Sequence, residues 1–228
     1  NMGGMFYVSN FNQSIGNWDV SSVTDMSSMF NKSNFNQPIS NWDVSSVTDM
    51  NWMFLGDQGI INPFDQPIGD WDVSSVTNMG GMFSGSLFNQ PIGDWDVTNV
   101  LYMSTMFSLS VFNQPIGSWD VSNVINMGYL FSGSHFDQPI GDWDVSNVKN
   151  MNYMFANINL SSLGFNQDIS AWDVSSVTSM SSMFAWAVFF NQDLSNWDVT
   201  NVTSCSYFSL DSQVYSLSKP NFINCSPD

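Results

Sequence analysis

The sequence has no arginine, no glutamate, one histidine and only three lysines, Lys32, Lys149 and Lys219, among its 228 residues. Each shortage removes a class of function. With no basic patch and a formal charge of −17, the chain repels nucleic acid and anionic lipid heads, so neither partner is expected. His135 stands alone, and with neither glutamate nor arginine the inventory for a general base or a nucleophilic triad is thin. Carboxylate pairs of the glycosidase kind can be drawn from the aspartates, but an open, water-exposed array is a poor place to raise one pKa. No phosphate-binding glycine loop is present; Gly80–Gly81 falls inside an apolar pattern with helical spacing. No run of 18 apolar residues occurs, so no membrane-spanning helix is expected. A secretory leader is missing too, but the chain opens on "NMGGMF", which aligns with the middle of a repeat. The first residue is therefore expected to be a cut or processed end.

What the chain has is repetition. It is 43% apolar and 15% aromatic, enough for a core despite its charge. Trp-Asp recurs at Trp18, Trp42, Trp71, Trp95, Trp119, Trp143, Trp172 and Trp197, at spacings of 24, 29, 24, 24, 24, 29 and 25 residues. The two long spacings carry extra residues at one corner, in "LGDQGIINP" and "ANINLSSLG", where a stacked coil tolerates a bulge. Each unit reads F-[ND]-Q-[PSD]-[IL]-[GS]-x-W-D-V-[ST]-[SN]-V-x-x-M-x-x-M-F.

The segment I-x-x-W-x-V, as in Ile39, Trp42 and Val44, has the spacing of a leucine-rich-repeat strand. Asp43 alternates with Trp42 and Val44 and so takes the opposite face. The following V-x-x-M-x-x-M-F stripe, Val47, Met50, Met53 and Phe54, predicts a short α- or 3₁₀-helix. Before each such valine stands Ser22, Ser46, Ser75, Asn99, Asn123, Asn147, Ser176 or Asn201, all good N-caps. The expected fold is thus an α/β repeat solenoid of leucine-rich-repeat-like coils, one strand and one helix each, over residues 1–208. One coil alone cannot bury its apolar face, so stability must be collective. The glutamines Gln13 through Gln192 are expected to form a ladder of stacked amides.

Residues 209–228 leave the pattern and are expected to cap the last coil, tied by a Cys205–Cys225 disulfide. A metal site would ask for four ligands instead. No matching cap is expected at the start.

The aspartates after each tryptophan, Asp19 through Asp198, would stack in one column with repulsion of roughly 0.9 kcal/mol per neighbouring pair in water. Three readings offset it: hydrogen bonds from the following Ser or Thr as in an Asx-turn, a bound calcium, or a partner. The D-W-D units offer the calcium candidates, Asp70 with Asp72, Asp94 with Asp96, and Asp142 with Asp144. Among five N-x-S/T sequons, Asn31 and Asn159 are the candidate glycan acceptors.

The motifs F-N-Q, W-D-V and M-x-x-M-F, as in "FNQPIGDWDVSSVTNMGGMF", together resemble the 25-residue repeat of bacterial and algal surface proteins. That repeat was first catalogued as a mycoplasma-type lipoprotein domain of unknown function and is similar in style to BspA-like leucine-rich repeats. The resemblance spans residues 1 to about 208. It implies a secreted or cell-surface repeat protein, often linked with adhesion, and brings no catalytic residues with it. Because the exposed letters barely change between coils, the expected partner is itself periodic: a polysaccharide, a mineral, a lattice or further copies of the chain. The leading expectation is a non-enzymatic extracellular surface or matrix protein, an adhesive or structural rod with a periodic acidic face. A subunit of an end-to-end extracellular fibre and a calcium-assisted carbohydrate-binding module are the alternatives.

Overall fold

A computed structural model describes residues 1–56, 59–158, 164–212 and 219–227. Among these residues there is no helix and no extended strand, only turns and isolated parallel bridges. The expectation of an α/β solenoid of leucine-rich-repeat-like coils, each with a strand and a helix, is therefore wrong. The period itself stands. Bridges join Asp25 to Asp49, Asp49 to Asn78, Asn78 to Tyr102, Tyr102 to Asn126, Asn126 to Asn150, Asn150 to Ser179 and Ser179 to Ser204. Successive repeats thus lie on one another in parallel, bridged at the residue before each first methionine or, in the last repeat, before Cys205, with a further bridge from Asn62 to Ser86.

The misread helix has a physical reason. Three-residue spacing marks a helix, but it equally marks a series of turns closed between residues i and i+3. Here Val47 N donates to Val44 O at 2.8 Å and Met53 N to Met50 O at 3.2 Å. The second residue after each first methionine is left-handed, with φ of 57° at Trp52, 59° at Thr105, 60° at Tyr129 and 56° at Tyr153. That reversal closes each turn in the manner of type II and aims alternate N–H groups at the next coil. Met26, Ser28, Phe30 and Lys32 donate to Asp49, Asn51, Met53 and Leu55 carbonyls at 3.0, 2.8, 2.9 and 2.6 Å. Between them Met29 and Asn31 close turns on Met26 and Ser28, and Ser27 N takes Asp25 Oδ1. Every donor from 26 to 32 is satisfied. A helix would turn all of them inward along its own coil and leave the stack without a backbone ladder.

The expected N-caps consequently have no helix to cap. Asn99, Asn123, Asn147 and Asn201 instead donate Nδ2 to the Ser74, Thr98, Ser122 and Ser175 carbonyls of the preceding coil, each at 2.8 Å. Ser22, Ser46, Ser75 and Ser176 occupy the same corner.

The W-D-V segment alternates as its sequence suggests, Trp42 and Val44 buried and Asp43 exposed. It is nonetheless not a strand, because among the described residues no backbone hydrogen bond joins successive W-D-V segments. The indole does that work. Trp42 Nε1 donates to Ile15 O at 3.1 Å, and the same bond recurs from Trp71 to Ile39, Trp95 to Ile68, Trp119 to Ile92, Trp143 to Ile116, Trp172 to Ile140 and Trp197 to Ile169.

The core is a bundle of columns running through all coils. Phe30, Phe54, Phe83, Phe107 and Phe131 stack at 5.5–5.9 Å between centroids, and Phe35, Phe64, Phe88, Phe112 and Phe136 at 6.2–6.3 Å. Within a coil the two columns touch at about 4 Å, as Phe54 and Phe64 do at 3.9 Å. At the carboxyl end the stacking breaks: Phe208 meets Phe184 edge-on at 77°. Cys205 is bonded to Cys225, Phe222 packs edge-on against Phe208, and Phe208 N donates to Pro227 O. Asn224 Nδ2 donates to Thr200 O at 2.7 Å, repeating the corner bond of Asn99 and its equivalents.

Candidate functional site

The exposed aspartate column is the most regular surface feature. Asp19, Asp43, Asp72, Asp96, Asp120, Asp144, Asp173 and Asp198 all face solvent. Each accepts the backbone N–H two residues on, at Ser21, Ser45, Ser74, Thr98, Ser122, Ser146, Ser175 and Thr200, at 3.0–3.1 Å. The hydroxyl of that residue adds a second bond of 2.5–2.7 Å in five coils, those of Asp19, Asp43, Asp72, Asp96 and Asp198. Of the three ways to offset repulsion in the column, this geometry displays the hydrogen-bonded one.

Electrostatics follow from it. The Ser45 hydroxyl and then the Ser45 amide hold the Asp43 carboxyl below the usual carboxylate range, against weaker upward pushes from burial and from Asp72 and Asp19. Asp19, Asp72, Asp120 and Asp173 are lowered by the same serine pair of groups, and Asp198 by the Thr200 hydroxyl and amide. Local hydrogen bonding outweighs neighbour repulsion.

The calcium candidates Asp70, Asp72, Asp94, Asp96, Asp142 and Asp144 are all exposed, and Asp72, Asp96 and Asp144 are engaged by Ser74, Thr98 and Ser146. Among the described residues no group of three or more Asp, His or Cys side chains gathers closely enough to hold a metal. The structure thus gives these six carboxylates no shared cage. Asn31 is 6% exposed, a poor position for a glycan, and Asn159 lies outside the described residues. His135 is half-buried, its N–H on Ser110 O.

The glutamine column works differently from a ladder of like amides. Gln66 Nε2 and Asp65 N both donate to Asn36 Oδ1; Gln90 Nε2 and Asn89 N both donate to Asp65 Oδ1; the pattern continues to Gln192. The residue before each glutamine must supply an acceptor oxygen to the next coil, which is why Asn and Asp interchange there and nothing else appears.

A second surface escaped the sequence reading. The left-handed position of each coil varies in residue and in exposure: Ser28, Thr105 and Tyr153 are half-buried, Gly81 and Ser182 buried, and Trp52, Tyr129 and Tyr207 exposed. Trp52, Tyr129 and Tyr207 are exposed aromatics, and Tyr129 stacks on Tyr153 at 4.5 Å. Burial, with help from the Tyr153 phenol, raises the Tyr129 pKa. The signal available in the sequence was an aromatic or glycine breaking the serine at one fixed repeat position. Beside Trp52 lies an open groove of about 550 Å³.

Three stretches of the chain, residues 1–62, 59–135 and 135–220, match the family described as Mycoplasma protein of unknown function, DUF285. Neither a curated protein sequence nor a solved structure matches the chain. No helix among the described residues is long and apolar enough to cross a membrane.

Proposed function

The chain belongs to the DUF285 family, and we propose that it is a non-enzymatic extracellular scaffold, adhesive or structural, whose acidic face meets a periodic partner such as a polysaccharide or further copies of the chain. The observation that carries this reading is the constancy of the aspartate column. Eight carboxylates are presented in eight turns closed by the same backbone bond, so a partner meets the same group at every coil. A surface specific for one globular protein needs a distinct cluster of anchors instead. The lowered carboxyl pKa values of Asp19, Asp43, Asp72, Asp120, Asp173 and Asp198 support the non-enzymatic part, since a general acid needs its proton at neutral pH and these groups are held ionised. The disulfide between Cys205 and Cys225 supports an oxidising compartment.

The test replaces Asp43, Asp72, Asp96 and Asp120 together by asparagine, which keeps the acceptor oxygen of each turn and removes the charge. Retention of parent and variant is measured on immobilised acidic and neutral polysaccharides, on calcium carbonate and on immobilised parent protein. The expected result is retention of the parent on one of these surfaces and a several-fold loss in the variant. Equal retention of both chains on every surface removes the acidic face from the account.

A further inference from the structure

The groove beside Trp52 is set apart from the acidic column in both position and chemistry. Its lining includes Tyr7, Asn31, Asn51, Trp52, Ser84, Ser104 and Thr105, drawn from five successive coils, so it runs along the stacking direction. Among the described residues no aspartate lines it, and Lys32 is the one charged residue in its lining. Trp52 is 48% exposed and Tyr7 53%, whereas Trp42, Trp71, Trp95, Trp119, Trp143, Trp172 and Trp197 are buried in the core. The indole is laid down by a specific neighbour. Gly81 occupies the same position one coil on, with φ of 62°, and a Cβ there would collide with Trp52 Cδ1. The ring therefore rests across Gly81 and keeps a broad apolar surface in the open.

A second, independent observation concerns Asn31. It is 94% buried by its 6% exposure, it lines the groove, and among the described residues its Oδ1 is a buried acceptor with no hydrogen-bond partner. Native structures leave such acceptors orphaned at a cost, and a ligand that donates a hydrogen bond relieves it. A carboxylate or phosphate oxygen cannot donate. A sugar hydroxyl can.

We propose that this groove binds a neutral polysaccharide, with a pyranose ring lying on the Trp52 indole and its hydroxyls engaging the amides and hydroxyls of Asn31, Asn51, Ser104 and Thr105. Three features select this occupant. The flat aromatic surface suits the C–H face of a sugar ring, and the rim is amide and hydroxyl. A chain with a formal charge of −17 disfavours anionic polymers. A globular protein would need roughly 800 Å² of matching surface on its side, whereas a narrow groove crossing five coils suits an extended chain. The site does not rest on the acidic column, and a scaffold of either kind of partner could carry it.

The test is native affinity electrophoresis of the whole chain in gels containing hydroxyethylcellulose, galactomannan, laminarin or soluble starch, with dextran sulfate as the anionic comparison. The parent is expected to be retarded by at least one neutral polymer and not by dextran sulfate. Trp52→Ala should weaken that retardation about tenfold or more, and Trp52→Phe, which keeps a flat face, by only a few-fold. Because Trp52 is exposed, both variants should keep the parent's circular dichroism and melting temperature. The aspartate-to-asparagine variant should be retarded as the parent is, so failure of the scaffold reading and failure of this one are read from different chains. An unretarded parent, retardation by dextran sulfate alone, or a folded Trp52→Ala chain retarded like the parent overturns the proposal.

Discussion

Two positions of the repeat, the aspartate after tryptophan and the residue two places after the first methionine, obey opposite rules. At the first, all eight coils carry Asp; at the second they carry Ser, Trp, Gly, Thr, Tyr, Tyr, Ser and Tyr. The difference lies in what closes each turn. In the W-D-V corner the side chains make the structure: Asp holds the following amide, and the Trp indole reaches the Ile carbonyl one coil back. In the M-x-x-M segment the backbone makes it, through the ladder of Met26, Ser28, Phe30 and Lys32 with the next coil. Where the main chain supplies the bonds, the side chain is released. Within this one chain, a position is constant where its side chain closes the turn and varies where the backbone does.

Trp119→Phe against Trp52→Phe is the strongest way to break that contrast. Trp119 is 4% exposed, and its replacement takes from the Ile92 carbonyl one of two donors, leaving the Trp95 N–H at 3.2 Å. Unfolding in urea should show a loss of about 2–3 kcal/mol, combining a lost buried hydrogen bond with the cavity left by the smaller ring. Trp52→Phe should lie within about 0.5 kcal/mol of the parent, as exposed substitutions do. Equal losses would mean that Trp52 is structural too, and the division between the two positions would fail.

Next in size is Gly81→Ala. It places a Cβ at φ of 62° and drives it into Trp52, so about 1–2 kcal/mol should be lost. Repeating the change in a Trp52→Ala background removes the collision and leaves the backbone part and a 3.2 Å approach to Thr105 Oγ1. The cost should fall, and a cost unchanged by the second substitution would show that the indole does not rest on Gly81.

Thr105→Gly should move stability the other way. A β-branched residue with φ of 59° is held in a conformation it disfavours by the ladder around it, Thr105 N on Gly128 O at 2.9 Å. Glycine relieves this, with a gain of about 1 kcal/mol offset by its greater freedom in the unfolded chain and by the lost bond from Thr105 Oγ1 to Ser104 O. The net midpoint should rise slightly. A clear fall would show that the side chain, not the backbone ladder, sets this position.

The same contrast explains what could be read from the letters. Which residues are inside was legible: Ile39, Trp42, Val44, Val47, Met50, Met53 and Phe54 are all buried, because apolar spacing reports direction regardless of the element that produces it. The element was not. Spacing of three is shared by helices and by consecutive turns, and the deciding feature is a left-handed φ at Trp52 or Tyr129, residues whose local preference argues against it. Only the backbone of the neighbouring coil imposes it. The indole bond from Trp42 to Ile15 was hidden for a related reason, since it crosses 27 residues and depends on the offset between coils. Asn31 shows the limit of a sequon: three letters promise an exposed loop, while stacking buries the side chain. The groove beside Trp52 had no mark in the letters, because it depends on the coil order that lays the indole over Gly81 and brings Asn31 into the same lining.

The smallest expected effect concerns the constant corner, and its sign is informative. Ser122 donates to Asp120 through its backbone amide, and the Ser122 hydroxyl and amide hold the Asp120 pKa below the usual value. Asp120→Ala should cost about 0.5–1 kcal/mol, while Asp120→Asn, which keeps the acceptor, should cost less. Acid titration then asks whether hydrogen bonds or repulsion govern the column. Between the lowered folded pKa values and the unfolded value of about 3.9, the unfolded chain holds more protons, so stability rises with pH in that window. The contribution is fully present above about pH 3.9 and is lost as pH falls through the folded values. If repulsion among Asp19, Asp43, Asp72 and their equivalents governed instead, protonation would relieve it and the chain would gain stability on acidification. Urea midpoints measured from pH 6 down to pH 2 should therefore stay level and then fall. A rise below pH 4 would show that the Ser and Thr bonds do not offset the stacked charge, and the corner would then need a cation or a partner to explain its constancy.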